Sequence, residues 1–209
     1  MNPAIAAVLP PAISPAAWEP FPAIDLRHIQ RLTDDTGMYQ HAVHTMPDPN
    51  HGYCTDDNAR ALIGALLYAQ QFGDDASSAE GLPTSPADGQ WQSGVLLYRY
   101  LTFLTYAFND ETRTFRNFMD NDRRWLEKTG SGDSQGRAIW ALGLAVNLAP
   151  DEMIREVAAN LLGKAMGQIE RFEHPRSRAF ALLGLDEYLK RRPNDSGALE
   201  LRDRHATLL

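Results

Sequence analysis

Three stretches of this 209-residue chain concentrate side chains able to bind polar ligands or move protons. HGYCTDDNARAL, His51 to Leu62, puts an imidazole, a phenol, a thiol, two adjacent carboxylates, an amide and a guanidinium at the head of an apolar run. GSGDSQGRAIWALG, Gly130 to Gly143, follows the same plan, with Asp133 and Arg137 four positions apart. HPRSRAFALLGL, His174 to Leu185, repeats the tail of the pattern. Carboxylates positioned in pairs can serve as general acid and base. Asp56, Asp57 and Asp133 are the candidates for that work.

Each candidate also has a purely structural role open to it. Asp56 and Asp57 are adjacent, so on a helix their side chains diverge by about 100° and cannot both address one atom. Acidic residues favour the first helical turn because that end carries partial positive charge. Thr55 is the expected N-cap of its helix, and Asp133 can cap the second. Arg60 is placed to pair with Asp56 or Asp57, and Arg137 with Asp133. Bonding to neighbouring helix ends is the simpler role for Arg60, Arg137 and Arg178. Capping alone does not call for His51, Tyr53 and Asn58, which favours a ligand.

Other chemistry has less support. His41, His44 and His51 with Asp56 offer metal donors, but their spacing matches no zinc signature, so no metal or other cofactor is expected. Cys54 reads as inert packing. Trp91, Trp125 and Trp140 sit among apolar neighbours at core-like spacing. Trp125, flanked by Arg124 and Glu127, is the best of the three for stacking on a ligand.

Helices must position these groups. Residues 1–22 are rich in Ala and Pro and read as a linker or arm, leaving 23–209 as one domain. Apolar periodicity predicts helices from Ile24 to about Leu32, Thr55 to Phe72 and 91 to 108. It continues with Ser134 to Asn147, Asp151 to about Phe172, Arg176 to Arg191, and Ser196 to the end. Thr33 to Asn50 and 73–89 read as loops, 109–120 as a polar segment, and a short helical turn is expected around Trp125. No run alternates with period two, so the expected class is all-α. Arg60-Ala, Arg137-Ala and Arg178-Ala open similar apolar-plus-small runs, which suggests a repeated helical hairpin.

Bulk properties narrow the partners. The chain is 44% hydrophobic, enough to bury a core, and a formal charge of −7 argues against nucleic acid. A single cysteine fits a reducing compartment. The N-terminus has no basic region ahead of its apolar residues, and prolines interrupt it. A soluble, cytoplasmic protein without a membrane span is the expectation.

HGYCTDDNARAL followed by GSGDSQGRAIWALG resembles the helical domain attached to some bacterial family 4 glycosyltransferases, similar in turn to the (α/α)6 toroids of the six-hairpin glycosidases. The likeness covers about residues 24 to 191. It implies an αα-hairpin array, a partial (α/α)6 toroid of about six to seven helices, with a sugar cleft at the N-terminal ends of its inner helices. Asp56, Asp57, Asn58, Asp133, Ser134 and Gln135 would stand at that cleft. Asp57 and Asp133 would be the best acid/base or acid/nucleophile pair for glycoside cleavage. His51, Tyr53, Arg60, Arg137 and Trp125 would join them as substrate contacts. Such carboxyl pairs stand about 5–5.5 Å apart in retaining enzymes and about 6.5–9.5 Å apart in inverting ones. A non-catalytic saccharide-binding or scaffolding module of a glycosyltransferase system is the alternative. No glycosyltransferase module is visible, since the chain lacks a Gly-rich phosphate loop and strand–helix alternation. Half a toroid leaves apolar flanks, so self-association or a companion chain supplying the missing hairpins is expected.

Overall fold

The computed structural model describes residues 26–72 and 93–209. The N-terminal arm, the first residues of the first expected helix, the 73–89 loop and Trp91 lie outside them. Helices dominate: α1 (Arg27–Arg31), α2 (Thr55–Phe72), α3 (Ser93–Ala107), α4 (Gly132–Leu148), α5 (Glu152–Ala165), α6 (Pro175–Arg191) and α7 (Ser196–Ala206). The all-α class holds, with α2, α3 and α6 close to their expected bounds. The helix expected to reach Phe172 differs. It leaves the α form at Ala165 and tightens into a 3-10 turn over Met166–Arg171, burying Gln168 and Ile169.

The caps follow from polar residues just outside each start. The Ser131 hydroxyl accepts from the Ser134 N–H, Asp151 from Met153, and Asp195 from Ala198. Ser131, not Asp133, therefore caps α4.

α4 is the centre of the fold, packed against α2, α5 and α6. It runs parallel to α6: Gly132 and Gly136 meet Ser177, Gly143 meets Gly184, and Asn147 bonds Glu187. The two backbones touch, because a Cβ on Gly143 would overlap the Gly184 carbonyl and one on Gly184 the Ile139 carbonyl. Only glycine permits that approach. α3 and α5 form a second parallel pair, joined by Tyr98 to Asp151 near one end and Asp110 to Lys164 at the other. Leu62, Leu66, Leu104, Ile139 and Leu142 fill the interior between these layers.

Short strands occupy segments whose sequence shows no alternation. β1 (Ala42–Val43) pairs with β2 (Met46–Pro47), β3 (Tyr53–Cys54) with β6 (Phe118–Met119), and β4 (Phe108–Asn109) with β5 (Thr114–Phe115), all antiparallel. Two residues per strand are too few to show a period. Trp125 is not in a helical turn. It bridges Met119 in extended form, because Glu127 accepts from the Asn117 and Phe118 N–H groups and draws the segment alongside β6.

Candidate functional site

The start of α2 is held by contacts far away in sequence. Gly52, at φ +61°, lets the chain cross Met119 so closely that a Cβ would overlap its carbonyl. Tyr53 is buried, stacks on Tyr39 and donates to Asp34 Oδ2 at 2.6 Å. Thr55 is not the cap expected of it, since its hydroxyl donates to the Arg116 carbonyl at 2.6 Å. Asn117 takes that place, its Oδ1 accepting from the Asp56 N–H, while Cys54 Sγ accepts from the Asp57 N–H. Asn58 is fully buried; its amide accepts from the Met38 N–H and donates to the Met38 and Cys54 carbonyls.

The start of α4 is built in the same way. Buried Ser134 donates to the Ser131 carbonyl. Buried Gln135 accepts from the Phe115 N–H at 2.8 Å and donates to its carbonyl at 2.6 Å. Tyr53, Asn58, Ser134 and Gln135, expected as ligand contacts, thus have their polar atoms committed to the framework. Buried polar groups demand partners, and the nearest backbone supplies them. Trp125 also stands apart. It packs edge-on to Phe103 and beside Tyr106, under the Arg116 guanidinium. His51 is exposed, against the His41 ring and Asp48.

The remaining candidates come together. Asp56, Asp57, Arg60, Asp133 and Arg137 line one hollow of about 550 Å³ with Gln40, His41, Cys54, Asn117, Phe118, Ser131 and Arg176. Asp56 Oδ2 receives Arg60 at 2.9 Å and Arg137 at 3.0 Å, linking α2 to α4. Asp57 receives Arg60 at 3.4 Å and the Cys54 thiol at 3.0 Å. Asp133 pairs with Arg176 and accepts from the Ser177 hydroxyl, so its expected partner Arg137 has turned instead to Asp56, over the Phe180 ring. Arg178 bonds the Phe172 and Leu208 carbonyls, away from the hollow.

The carboxyls of the hollow sit in different electrostatic settings. Burial raises the Asp56 carboxyl above its ordinary value; Arg60 opposes this, and the charges of Asp57 and Asp133 add to it. Asp56 Oδ1 is buried without a hydrogen-bond partner among the described residues. At Asp133 burial also pushes upward, but the Arg176 and Ser177 hydrogen bonds outweigh it and the carboxyl lies below its ordinary value. Burial, with the Asp57 carboxylate alongside, drives the Cys54 thiol well up, the reverse of what a nucleophile needs. No group of three or more His, Cys, Asp or Glu side chains among the described residues could hold a metal ion.

Several lining residues escape a sequence reading. Arg176 follows Pro175 at the opening of the third motif, where comparison with the first two could have flagged it. Asn117 and Phe118 come from a segment with no distinguishing pattern. Phe118 is 41% exposed and gives the hollow an apolar ring. No helix among the described residues is long and apolar enough to cross a membrane. No family model, curated protein or solved structure matches the chain.

Proposed function

We propose that the hollow binds a saccharide and that the chain is a carbohydrate-active, glycoside hydrolase-like domain built on part of an (α/α)6 toroid. The observation that carries this reading is the meeting of Asp56, Asp57 and Asp133, from the first turns of two neighbouring helices, in one hollow of about 550 Å³. That size suits a small ligand. Sugar hydroxyls both donate and accept. The carboxyl oxygens of the three aspartates accept, the guanidiniums of Arg60, Arg137 and Arg176 donate, and mixed charges of both signs fit an uncharged polyol better than an ion. Phe118 supplies a surface for the apolar face of a sugar ring. The resemblance of the two helix openings to the glycosyltransferase-attached domain supports the same ligand class.

The divergence of two carboxyls favours cleavage. Asp56 lines the hollow and burial raises its carboxyl, so it is suited to hold a proton and pass it to the leaving glycosidic oxygen. Asp133, held ionised by Arg176 and Ser177, is suited to activate water or attack the anomeric carbon. Asp57 orients the sugar. The second reading, a non-catalytic saccharide-binding module, is favoured by the ion pairs. Each carboxylate already holds a guanidinium, which a substrate must displace.

The test is calorimetric titration and reducing-end release over a panel of gluco-, manno- and xylo-configured mono- and disaccharides. Saturable binding, with hydrolysis lost in Asp56→Asn and Asp133→Asn, is expected. Binding without hydrolysis by the unaltered protein selects the second reading. A folded protein that binds no member of the panel refutes both.

A further inference from the structure

A second hollow, of about 530 Å³, opens on the other side of the α4 start. Ser131 and Asp133 line the first hollow, while Gly130 and Gly132 line the second. Residues 130 to 133, the approach to α4 and its start, therefore form a shared rim, and the room a Cβ would take at Gly130 and Gly132 is filled by Ser134, Asn117 and Ser177. The lining of the second hollow is of a different kind. Thr112, Thr114 and Thr129 form a chain of hydroxyls, with oxygens 2.6 and 3.0 Å apart. Gln168, buried, donates to the Thr112 carbonyl and fixes the β4–β5 connection against the 3-10 turn after α5. Arg171 stands at the edge and makes no ion pair among the described residues.

We infer that this second hollow is a binding subsite for a further unit of the same saccharide, so that the ligand is an oligosaccharide lying across the Gly130–Asp133 rim. The inference rests on the saccharide reading of the first hollow. Three linked hydroxyls can rotate together, each donating to one neighbour and accepting from another, so the chain adapts to the donor–acceptor pattern of a vicinal diol. Arg171 adds fixed donors for a hydroxyl or ring oxygen. Asp56, Asp57 and Asp133 all line the first hollow and none lines the second. Glu111 is the one carboxylate among the described residues lining the second hollow, so it lacks the acid/base pair that cleavage needs, and it binds without cleaving.

If one ligand spans residues 130 to 133 between the two hollows, affinity must depend on its length. Titration of the full chain with gluco-, manno- and xylo-oligosaccharides of one to four units should show roughly tenfold tighter binding of the tetrasaccharide than of the matching monosaccharide, about 1.4 kcal/mol. Thr129→Val and Arg171→Ala should each erase most of that gain while leaving monosaccharide affinity within about twofold. Both residues lie at exposed positions, and unchanged far-ultraviolet circular dichroism verifies the fold. Equal affinity for all lengths, or a length dependence untouched by both variants, overturns the second subsite while the first hollow stands. Absence of binding at every length overturns both. Competition by inorganic phosphate that is lost in Arg171→Ala, without any length dependence, would assign the hollow to an anion and refute the inference.

Discussion

Replacing Asn58 with alanine should destabilise the protein by about 3 kcal/mol. The side chain is fully buried and serves three backbone groups: the Met38 N–H at 2.8 Å, the Met38 carbonyl at 3.2 Å and the Cys54 carbonyl at 2.9 Å. A buried group left without its partner costs about 1–3 kcal/mol. Three such groups sum to about 3–9 kcal/mol, and the Met38 segment lies near the surface and can recover part of the loss from water, which brings the total to the lower end of that span. Urea unfolding followed by circular dichroism, with an unchanged slope, measures the effect. Gly37→Ala supplies an internal check. Its added Cβ would lie 2.6 Å from Asn58 Oδ1 and 2.9 Å from the Phe103 ring, so it should cost less in the Asn58→Ala background than alone. A loss below about 1 kcal/mol for Asn58→Ala, or strictly additive effects of the two changes, would refute the assignment of Asn58 to the framework.

Asp56→Asn should remove part of the pH dependence of the Tm. Burial lifts the folded-state carboxyl above its ordinary 3.8, so the stability it contributes is complete below that value and is lost as pH rises through the elevated one. The amide does not titrate, so the Tm of the variant relative to the unaltered protein should rise as pH increases through that elevated value, on top of the cost of losing the Arg60 and Arg137 pairs; a relative Tm that falls with rising pH would contradict the burial account. Gly64 and Gly143 should respond oppositely to alanine. A Cβ at Gly64 meets nothing within 4 Å and should stabilise by about 0.5–1 kcal/mol, whereas at Gly143 it enters the α6 backbone and should destabilise by about 1–3 kcal/mol. Chemical denaturation of both variants reads the signs. If a second copy covers the flanks expected of an incomplete toroid, Leu67 on α2 and Leu183 on α6, 47% and 46% exposed, are the residues it would bury. Sedimentation velocity should show a concentration-dependent shift that Leu67→Glu and Leu183→Glu remove, and a sharp monomer at high concentration would argue against self-association.

The helices were legible from local order alone. Apolar periodicity marks α2 to its terminal residues, and Pro175 marks the start of α6, because a helix satisfies its hydrogen bonds within its own segment and its pattern reports on nothing distant. The clustering of Asp56, Asp57 and Asp133 at helix starts was equally visible. Their meeting in one hollow was not, since it depends on α2 and α4 lying side by side. Nor could the sequence sort ligand-facing from framework residues within one motif. Asp57 and Asn58 are adjacent, yet one lines the hollow and the other is buried against Met38. A polar side chain takes whichever partner the fold brings near, and at both helix starts that partner came from segments far along the chain. Met38, Asn117 and Arg176 reach these starts only through tertiary packing, which also redirected Arg137 from Asp133 to Asp56.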